Sequence, residues 1–143
     1  MKLTIIASLL ICFMGTTAWV SQEKQPKSTL STKSVVSDSG KIIYETYCLA
    51  CHQEDGSGVP NMNPPLIKTD WVLGDSTRLI NVILKGLKGE EINGDSYSNE
   101  MPAHDFLSDK QIADVLTFVR NSFGNKASAI KPEYVKSQRQ KKK

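Results

Sequence analysis

The sequence contains few cysteines and few aromatic residues, and its net charge is small. Three cysteines among 143 residues are too few for a small secreted domain held together by a framework of disulfides. Aromatic residues make up 7% of the chain, a low content for a domain that builds its whole core from its own side chains. A net charge of +3 is too small for a dedicated nucleic-acid-binding protein. The length excludes a large multidomain enzyme and fits one domain.

One long uncharged run lies at the N-terminus. Residues 3–20 carry no charge and follow Lys2, which is typical of a secretory signal with Thr16 and Ala18 before the cleavage site. The alternative is an uncleaved membrane tether, because the eighteen residues of this run just reach spanning length. We therefore expect a signal peptide or membrane anchor over 1–20. The remainder is then periplasmic or otherwise exported, either soluble or attached to the outer side of the cytoplasmic membrane.

Composition and charge divide the rest of the chain. Residues 21–37 are polar, without an apolar period, and predict a flexible tether. Eight basic and thirteen acidic side chains give residues 38–130 a charge of −5, whereas residues 131–143 carry six basic and one acidic side chain, a charge of +5. We predict one domain at 38–125 and a basic C-terminal tail at 126–143 that stays in solvent. No nucleic-acid partner is expected for an exported protein.

Apolar spacing predicts helices and no strands. Helical patterns cover residues 40–51 and 76–85, and a third helix is predicted between Ser108 and Gly124. Ser108 and Gln111 fit a capping box at the start of this last helix. Long loops rich in glycine, proline and asparagine separate the helices, so the fold class is all-α.

Residues 48–52 read Cys-Leu-Ala-Cys-His, the C-x-x-C-H attachment signature of a c-type haem. Cys48 and Cys51 leave one face of a helix, close enough to form thioethers with two vinyl groups of one porphyrin. His52 lies on the same face and can reach the iron. Three alternatives fit less well: a thioredoxin-like pair lacks its preceding strand, a zinc site lacks a fourth ligand, and a plain disulfide leaves the histidine unexplained.

Three residues are candidates for a second axial ligand: Met62, Met101 and His104. Met62 follows the haem motif so closely that the chain is still on the histidine side. Met101 lies 49 residues after His52 and precedes Pro102, which holds the methionine in an extended conformation. The spacing favours Met101, with His104 as the alternative.

Residues 38–125 resemble the class I mono-haem cytochrome c family. Gly40 and Tyr44 match the glycine and the aromatic residue of that family's first helix, and Phe118 occupies the matching aromatic position on the last helix. The stretch 101–121 is similar to cytochrome domains that accompany sugar and alcohol dehydrogenases. The resemblance implies a cytochrome c-like fold of three to five helices, with long loops wrapped around one covalently bound haem c.

The resemblance also implies roles for individual residues. Met101 corresponds to the sixth iron ligand of the family. Residues 63–66 look like the family's proline loop, whose backbone carbonyl orients the axial histidine, and Pro65 is the predicted acceptor. Trp71 and Arg78 are candidates to hold the haem propionates, because an indole N–H and a guanidinium both suit carboxylates. The predicted cofactor-binding residues are Cys48, Cys51, His52, Met101, Pro65, Trp71 and Arg78, with His52 and Met101 as the metal ligands.

The function implied is one-electron transfer between Fe(III) and Fe(II), without an enzymatic reaction. The resemblance implies transient docking of a monomer with redox proteins, a dehydrogenase as donor and a terminal oxidase as acceptor. A haem peroxidase or gas-binding sensor with a displaceable sixth ligand is the alternative function. A structural protein in which the C-x-x-C-H motif is a metal or disulfide clip is a third hypothesis.

Overall fold

The computed structural model describes residues 32–141, with side chains from residue 38 onward. Six helices are described: α1 (Thr32–Tyr47), α2 (Leu49–His52), α3 (Asp70–Leu73), α4 (Ser76–Lys85), α5 (Asp109–Val119) and α6 (Pro132–Gln140). The described residues form isolated β-bridges but no strand, and the predicted all-α class is confirmed. The predicted signal or anchor at 1–20 lies outside the described residues. Among the helices described, none is both long and apolar enough to cross a membrane.

Helices α1 and α5 cross at Gly40, where only a glycine fits. A Cβ on Gly40 would overlap the carbonyl oxygen of Asp114 and lie 2.7 Å from the Cβ of Phe118. One turn later, Tyr44 is 2% exposed, and its ring centroid lies 5.5 Å from that of Phe118. The Tyr44 hydroxyl donates a hydrogen bond of 2.6 Å to the carbonyl oxygen of Gln53, and burial raises the pKa of Tyr44. This crossing fixes the orientation of α1 and therefore the position of the C-x-x-C-H motif that follows it.

The sequence signals at the ends of α4 and α5 are local, and the structure confirms them. Helix α4 covers the predicted residues. It is preceded by the N-cap Asp75, whose side chain accepts a hydrogen bond from the amide of Thr77, and it is followed by the C-cap Gly86. Helix α5 begins with the predicted capping box, in which Ser108 and Gln111 bond each other's backbone amides. Both helices turn their apolar faces into one core.

The C-terminal residues form a packed helix, and the prediction of a solvated tail over 126–143 is wrong for α6. This helix packs against α4 and α5, where Ile130 and Val135 are 6% and 0% exposed. The hydroxyl groups of Tyr134 and Thr77 lie 2.5 Å apart. The net charge of this segment gives no sign of the narrow apolar face of α6, because basic residues such as the exposed Lys136 dominate the count.

Helix α1 begins at Thr32, six residues before the predicted domain boundary. The predicted tether at 21–37 is therefore too long at its C-terminal end, and residues 21–31 lie outside the described residues. No glycine or proline interrupts residues 32–39, so the helix can extend towards the N-terminus. The short helix α3 was not predicted, and the described total of six helices exceeds the predicted three to five.

Candidate functional site

The C-x-x-C-H motif lies at the junction of α1 and α2. The amide of Cys48 donates to the carbonyl oxygen of Tyr44, and the amide of His52 donates to that of Cys48, both at 2.9 Å. Helical bonding therefore continues through the motif and places Cys48, Cys51 and His52 on one wall of a cleft. The two cysteines are not joined to each other. Burial raises the pKa of the Cys48 thiol to about 11, whereas Cys51 is exposed.

The imidazole of His52 is buried and oriented by the backbone. His52 is 7% exposed, and its Nδ1–H donates a hydrogen bond of 3.0 Å to the carbonyl oxygen of Pro64. Burial lowers the pKa of His52, which favours the neutral ring. With Nδ1 committed to Pro64, Nε2 is the nitrogen whose lone pair can bind a metal.

The predicted acceptor for His52 was Pro65, and this choice was wrong by one residue. Val59 and Asn63 exchange two backbone hydrogen bonds of 2.9 Å, which close a tight loop just before Pro64. A Cβ on Gly58 would lie 2.6 Å from the carbonyl oxygen of Pro64, so the bare backbone of Gly58 lets this carbonyl turn inward. Pro65 lines the inner part of the cleft instead.

Met101 lines the same cleft, and its backbone lies beside the residues that follow α4. Its amide and carbonyl exchange two hydrogen bonds of 2.9 Å with the backbone of Leu87. A Cβ on Gly86, which has a φ of +77°, would lie 2.5 Å from the carbonyl oxygen of Met101. Three residues later, the amide of His104 donates to the carbonyl oxygen of Ile83 at 2.7 Å. The backbone of the Met101 stretch is thus tied to the last turn of α4.

His104 and Met62, the other two candidates for the second axial ligand, are placed differently from Met101. His104 also lines the cleft, but its Nδ1–H donates to the carbonyl oxygen of Pro102 at 2.9 Å. Its ring contacts Tyr47 and Phe106 at centroid distances of 6.5 and 5.7 Å, and Phe106 is 64% exposed. Met62 is 46% exposed and is not among the residues that line the cleft.

The cleft consists of two adjoining cavities of about 730 and 650 Å³, the space at their mouths included. Six residues line both cavities, in addition to those that line only one of them: Cys48, His52, Pro64, Leu87, Ile92 and Met101. The inner cavity is bordered mostly by apolar side chains, six of them from α4 and α5, and the outer one by a mixture of apolar and polar side chains, mostly from the loops. A largely apolar cleft lined by an imidazole, a thioether and two thiols fits a c-type haem.

Comparison with protein families identifies the family of the chain. The family model described as Cytochrome c matches residues 37–123. The chain belongs to the cytochrome c family. Members of this family act as electron carriers and not as enzymes, and the family implies a covalently bound haem c.

Relatives of this cytochrome c include a cytochrome c-552 and the cytochrome c subunits of dehydrogenases. Cytochrome c-552 of Thermus thermophilus is 36% identical over 115 residues, which are 73% of this chain and 86% of the relative. The cytochrome c subunit of a quinone-type alcohol dehydrogenase from Gluconacetobacter polyoxogenes is 39% identical over 100 residues, 68% of this chain and 21% of the subunit. The cytochrome c subunit of gluconate 2-dehydrogenase from Pantoea cypripedii is 36% identical over 96 residues, 65% and 22% of the two chains. The chain spans about a fifth of the length of these dehydrogenase subunits.

The two residues predicted to hold propionates are placed differently in this cytochrome c. Trp71, on α3, lines the inner cavity. The guanidinium of Arg78 lies 4.4 Å from the centroid of the Trp71 ring, and its Nη2 donates to a carboxylate oxygen of Asp70 at 3.0 Å. The Nε of Arg78 is buried without a hydrogen-bond partner. The structure therefore brings Trp71 to the cleft and places Arg78 behind it.

The sequence analysis missed Arg120, a buried cation at the end of α5. Arg120 is 3% exposed and donates to the carbonyl oxygens of Val72 at 2.7 Å and of Ser128 at 2.9 Å. Burial lowers its pKa. The guanidinium links the end of α3, and hence the backbone that carries Trp71, to α5. The only sequence signal was a charge next to the apolar face of a helix, beside Val119.

The sequence analysis also missed Asn125, which ties the proline loop to α5. Asn125 is 7% exposed, and its Oδ1 accepts from the amide of Lys68 at 2.7 Å. Its Nδ2 donates to the carbonyl oxygens of Leu66 at 2.9 Å and Val119 at 2.8 Å. The backbone just after Pro64 is thereby held by a side chain from the other end of the domain.

Proposed function

We propose that this chain is an exported one-electron carrier that holds a single haem c. Cys48 and Cys51 form the two thioether bonds, and His52 and Met101 are the axial iron ligands. When bound, the haem supplies a one-electron Fe(III)/Fe(II) couple. The observation that carries the proposal is that Cys48, His52 and Met101 line both parts of one largely apolar cleft, with Cys51 beside them in its outer part.

The residues around the two ligands set the properties of the carrier. The hydrogen bond from His52 to Pro64 fixes the orientation of the imidazole and raises its basicity. The soft sulfur of Met101 favours the reduced state and raises the midpoint potential relative to a second histidine. With both axial positions taken by protein side chains, the site binds no substrate.

Trp71 and Arg78 are proposed to act together at the inner end of the cleft. Trp71 borders the cavity, and its indole N–H suits a propionate carboxylate. Arg78 stacks on the Trp71 ring and keeps one buried Nε–H without a partner. Pro65 is proposed to contribute apolar contact to the cleft wall.

Electrons are exchanged at the mouth of the cleft with proteins that dock transiently. The exposed rings of Tyr47 and Phe106 have centroids 5.4 Å apart, and Tyr47 lines the same cavity as the two cysteines. The two rings offer an apolar surface to a partner. Relatives named as dehydrogenase subunits support a dehydrogenase as the donor. An electron carrier also needs an acceptor, and we assign this role to a terminal oxidase. We propose that the carrier is a monomer.

The export signal or membrane tether at residues 3–20 is part of the proposal. An uncharged run after a lysine supports export, and haem attachment through C-x-x-C-H fits an exported location. Fractionation of membranes and soluble extract, with mass spectrometry of the N-terminus, distinguishes a cleaved signal from a retained tether.

The decisive experiment is the optical spectrum of haem-loaded protein and two variants. We expect one covalent haem per chain and, in the oxidised protein, a red-region Met–iron charge-transfer band. Met101→Ala abolishes this band, whereas His104→Ala keeps it. High-spin iron that binds carbon monoxide readily in the unaltered protein would contradict the proposal in favour of a peroxidase or gas sensor. Absence of covalent haem would leave the metal or disulfide clip.

A further inference from the structure

The last turn of α6 holds the segment that follows Met101. The guanidinium of Arg139 donates three hydrogen bonds to this segment: from Nη1 to the carbonyl oxygen of Asp105 at 2.8 Å, from Nη2 to that of Leu107 at 2.7 Å, and from Nε to the carboxylate of Asp109 at 2.8 Å. Helix α6 lies beyond residues 37–123, the range matched by the family. The family match therefore does not include this contact.

The segment between Met101 and α5 is fixed at both of its ends. At its start, Met101 is bonded to Leu87, and the amide of His104 donates to α4. In its middle, the amide of Leu107 donates to the carbonyl oxygen of His104 at 3.1 Å. At its end, Arg139 donates hydrogen bonds to two carbonyl oxygens and a carboxylate. Movement of the segment away from the cleft requires that one of these attachments breaks.

Arg139 can act on the segment because α6 is itself fixed to the domain. Val135 and Gln138, which precede it, are 0% and 4% exposed, and Tyr134 bonds to Thr77 of α4. The side chain of Arg139 is 31% exposed, so its hydrogen bonds are partly shielded from water. The planar guanidinium fork reaches two carbonyl oxygens and a carboxylate at once, which an ammonium group cannot do with the same geometry.

We propose that Arg139 is a positioning residue for Met101 as an iron ligand. By holding the backbone at Asp105 and Leu107, it keeps the segment closed over the cleft and the Met101 thioether directed into it. The inference rests on the proposed function, because it assumes that Met101 is the sixth ligand.

The test compares full-length, haem-loaded Arg139→Gln and Lys136→Gln proteins. Both changes remove one positive charge from α6, but Lys136 is exposed and lies outside the three hydrogen bonds. Added imidazole competes with Met101 for the iron, and its apparent binding constant reports how easily the methionine segment opens. We expect Arg139→Gln to bind imidazole about tenfold more tightly, because the loss of charge-assisted hydrogen bonds makes it easier for the segment to open. Lys136→Gln stays within about twofold of the unaltered protein.

The Met–iron band, the midpoint potential and the thermal unfolding of each protein are measured in parallel. We expect Arg139→Gln to weaken the band, and Arg139→Lys to restore little of it. A purely structural role would lower the unfolding temperature but leave imidazole binding and the band unchanged, and this result would overturn the inference. If Arg139→Gln does not load haem, Asp109→Ala removes one of the three bonds, and imidazole binding equal to that of the unaltered protein overturns the inference instead.

The failure of the inference differs from the failure of the proposed function. If the unaltered protein lacks the Met–iron band, the assignment of Met101 is wrong, and the role of Arg139 falls with it. If the unaltered protein shows the band and Arg139→Gln behaves like Lys136→Gln, the assignment of Met101 stands and only the role of Arg139 is wrong.

Discussion

Leu87 and Met101 exchange two backbone hydrogen bonds, each 2.9 Å long, directly after the end of α4. Main-chain bonds of this kind hold the position of Met101 whatever its side chain does. The position of the Met101 backbone, and with it the direction of the thioether, therefore depends on these two hydrogen bonds and on the packing of the neighbouring residues. Gly86 packs directly against the carbonyl oxygen of Met101 and leaves no space for a Cβ.

Gly86→Ala is expected to weaken Met101 ligation. The new Cβ would lie 2.5 Å from the carbonyl oxygen of Met101, so the backbone at Met101 has to move. We expect a loss of about 1–3 kcal/mol in the free energy of unfolding and a weaker Met–iron band. Gly89→Ala is the matched control: its φ of +71° resembles the +77° of Gly86, but nothing lies within 4 Å of its Cβ. Equal effects of the two substitutions on the band would contradict this prediction.

Gly40→Ala is expected to separate α1 from α5. Its Cβ would overlap backbone of Asp114, which cannot move aside as the tip of a flexible side chain can. We expect the free energy of unfolding to fall by about 3 kcal/mol, measured by guanidinium chloride titration and circular dichroism. Ile42→Ala is the control in the same helix, because Ile42 is 63% exposed and should change stability by less than about 0.5 kcal/mol. A loss no greater than that of the control would show that the helices tolerate a wider crossing.

Val135→Ala tests whether α6 unfolds together with the rest of the domain. Val135 is 0% exposed, and its truncation should cost about 2 kcal/mol in a single cooperative transition. Lys136→Ala, on the exposed side of the same helix, should leave the transition within about 0.5 kcal/mol of its original position. A helix that frays independently would leave the main transition unchanged in both variants.

Tyr44 is expected to make the protein sensitive to alkali. Burial raises its pKa above the usual value of 10.0, so above about pH 10 the unfolded chain loses a proton that the folded protein keeps. The stability that this group contributes is present below pH 10 and is lost as the pH rises. Tyr44→Phe should reduce the fall in unfolding free energy between pH 9 and 11, with urea unfolding as the measurement. Parallel curves for the two proteins over this interval would contradict the prediction.

The sequence predicted the features that depend on neighbouring residues. The C-x-x-C-H motif, the residues of α4 and the capping box at Ser108 and Gln111 are all local patterns, and a few residues are sufficient to specify each of them. Gly40 and Phe118 are far apart in sequence, and the resemblance to a family supplied their pairing.

The sequence could not predict contacts that depend on the packing of distant segments. The choice between Pro64 and Pro65 depends on which carbonyl faces His52, and the bridge between Val59 and Asn63 decides this. Helix α6 carries more charge than apolar surface, and its burial becomes visible only when the groove between α4 and α5 exists. Arg120, likewise, is satisfied by backbone carbonyls that no side-chain pattern reveals.

The side chain of Asn125 bonds backbone of Leu66 and Lys68, 59 and 57 residues earlier in the chain. A ribosome makes the protein from its N-terminus, so the loop beneath His52 is complete in sequence long before the residue that fastens it has been added. These hydrogen bonds close one of the longest loops of the domain, and contacts of such separation form slowly in folding. The surroundings of the histidine therefore become rigid only after almost the whole domain has been synthesised.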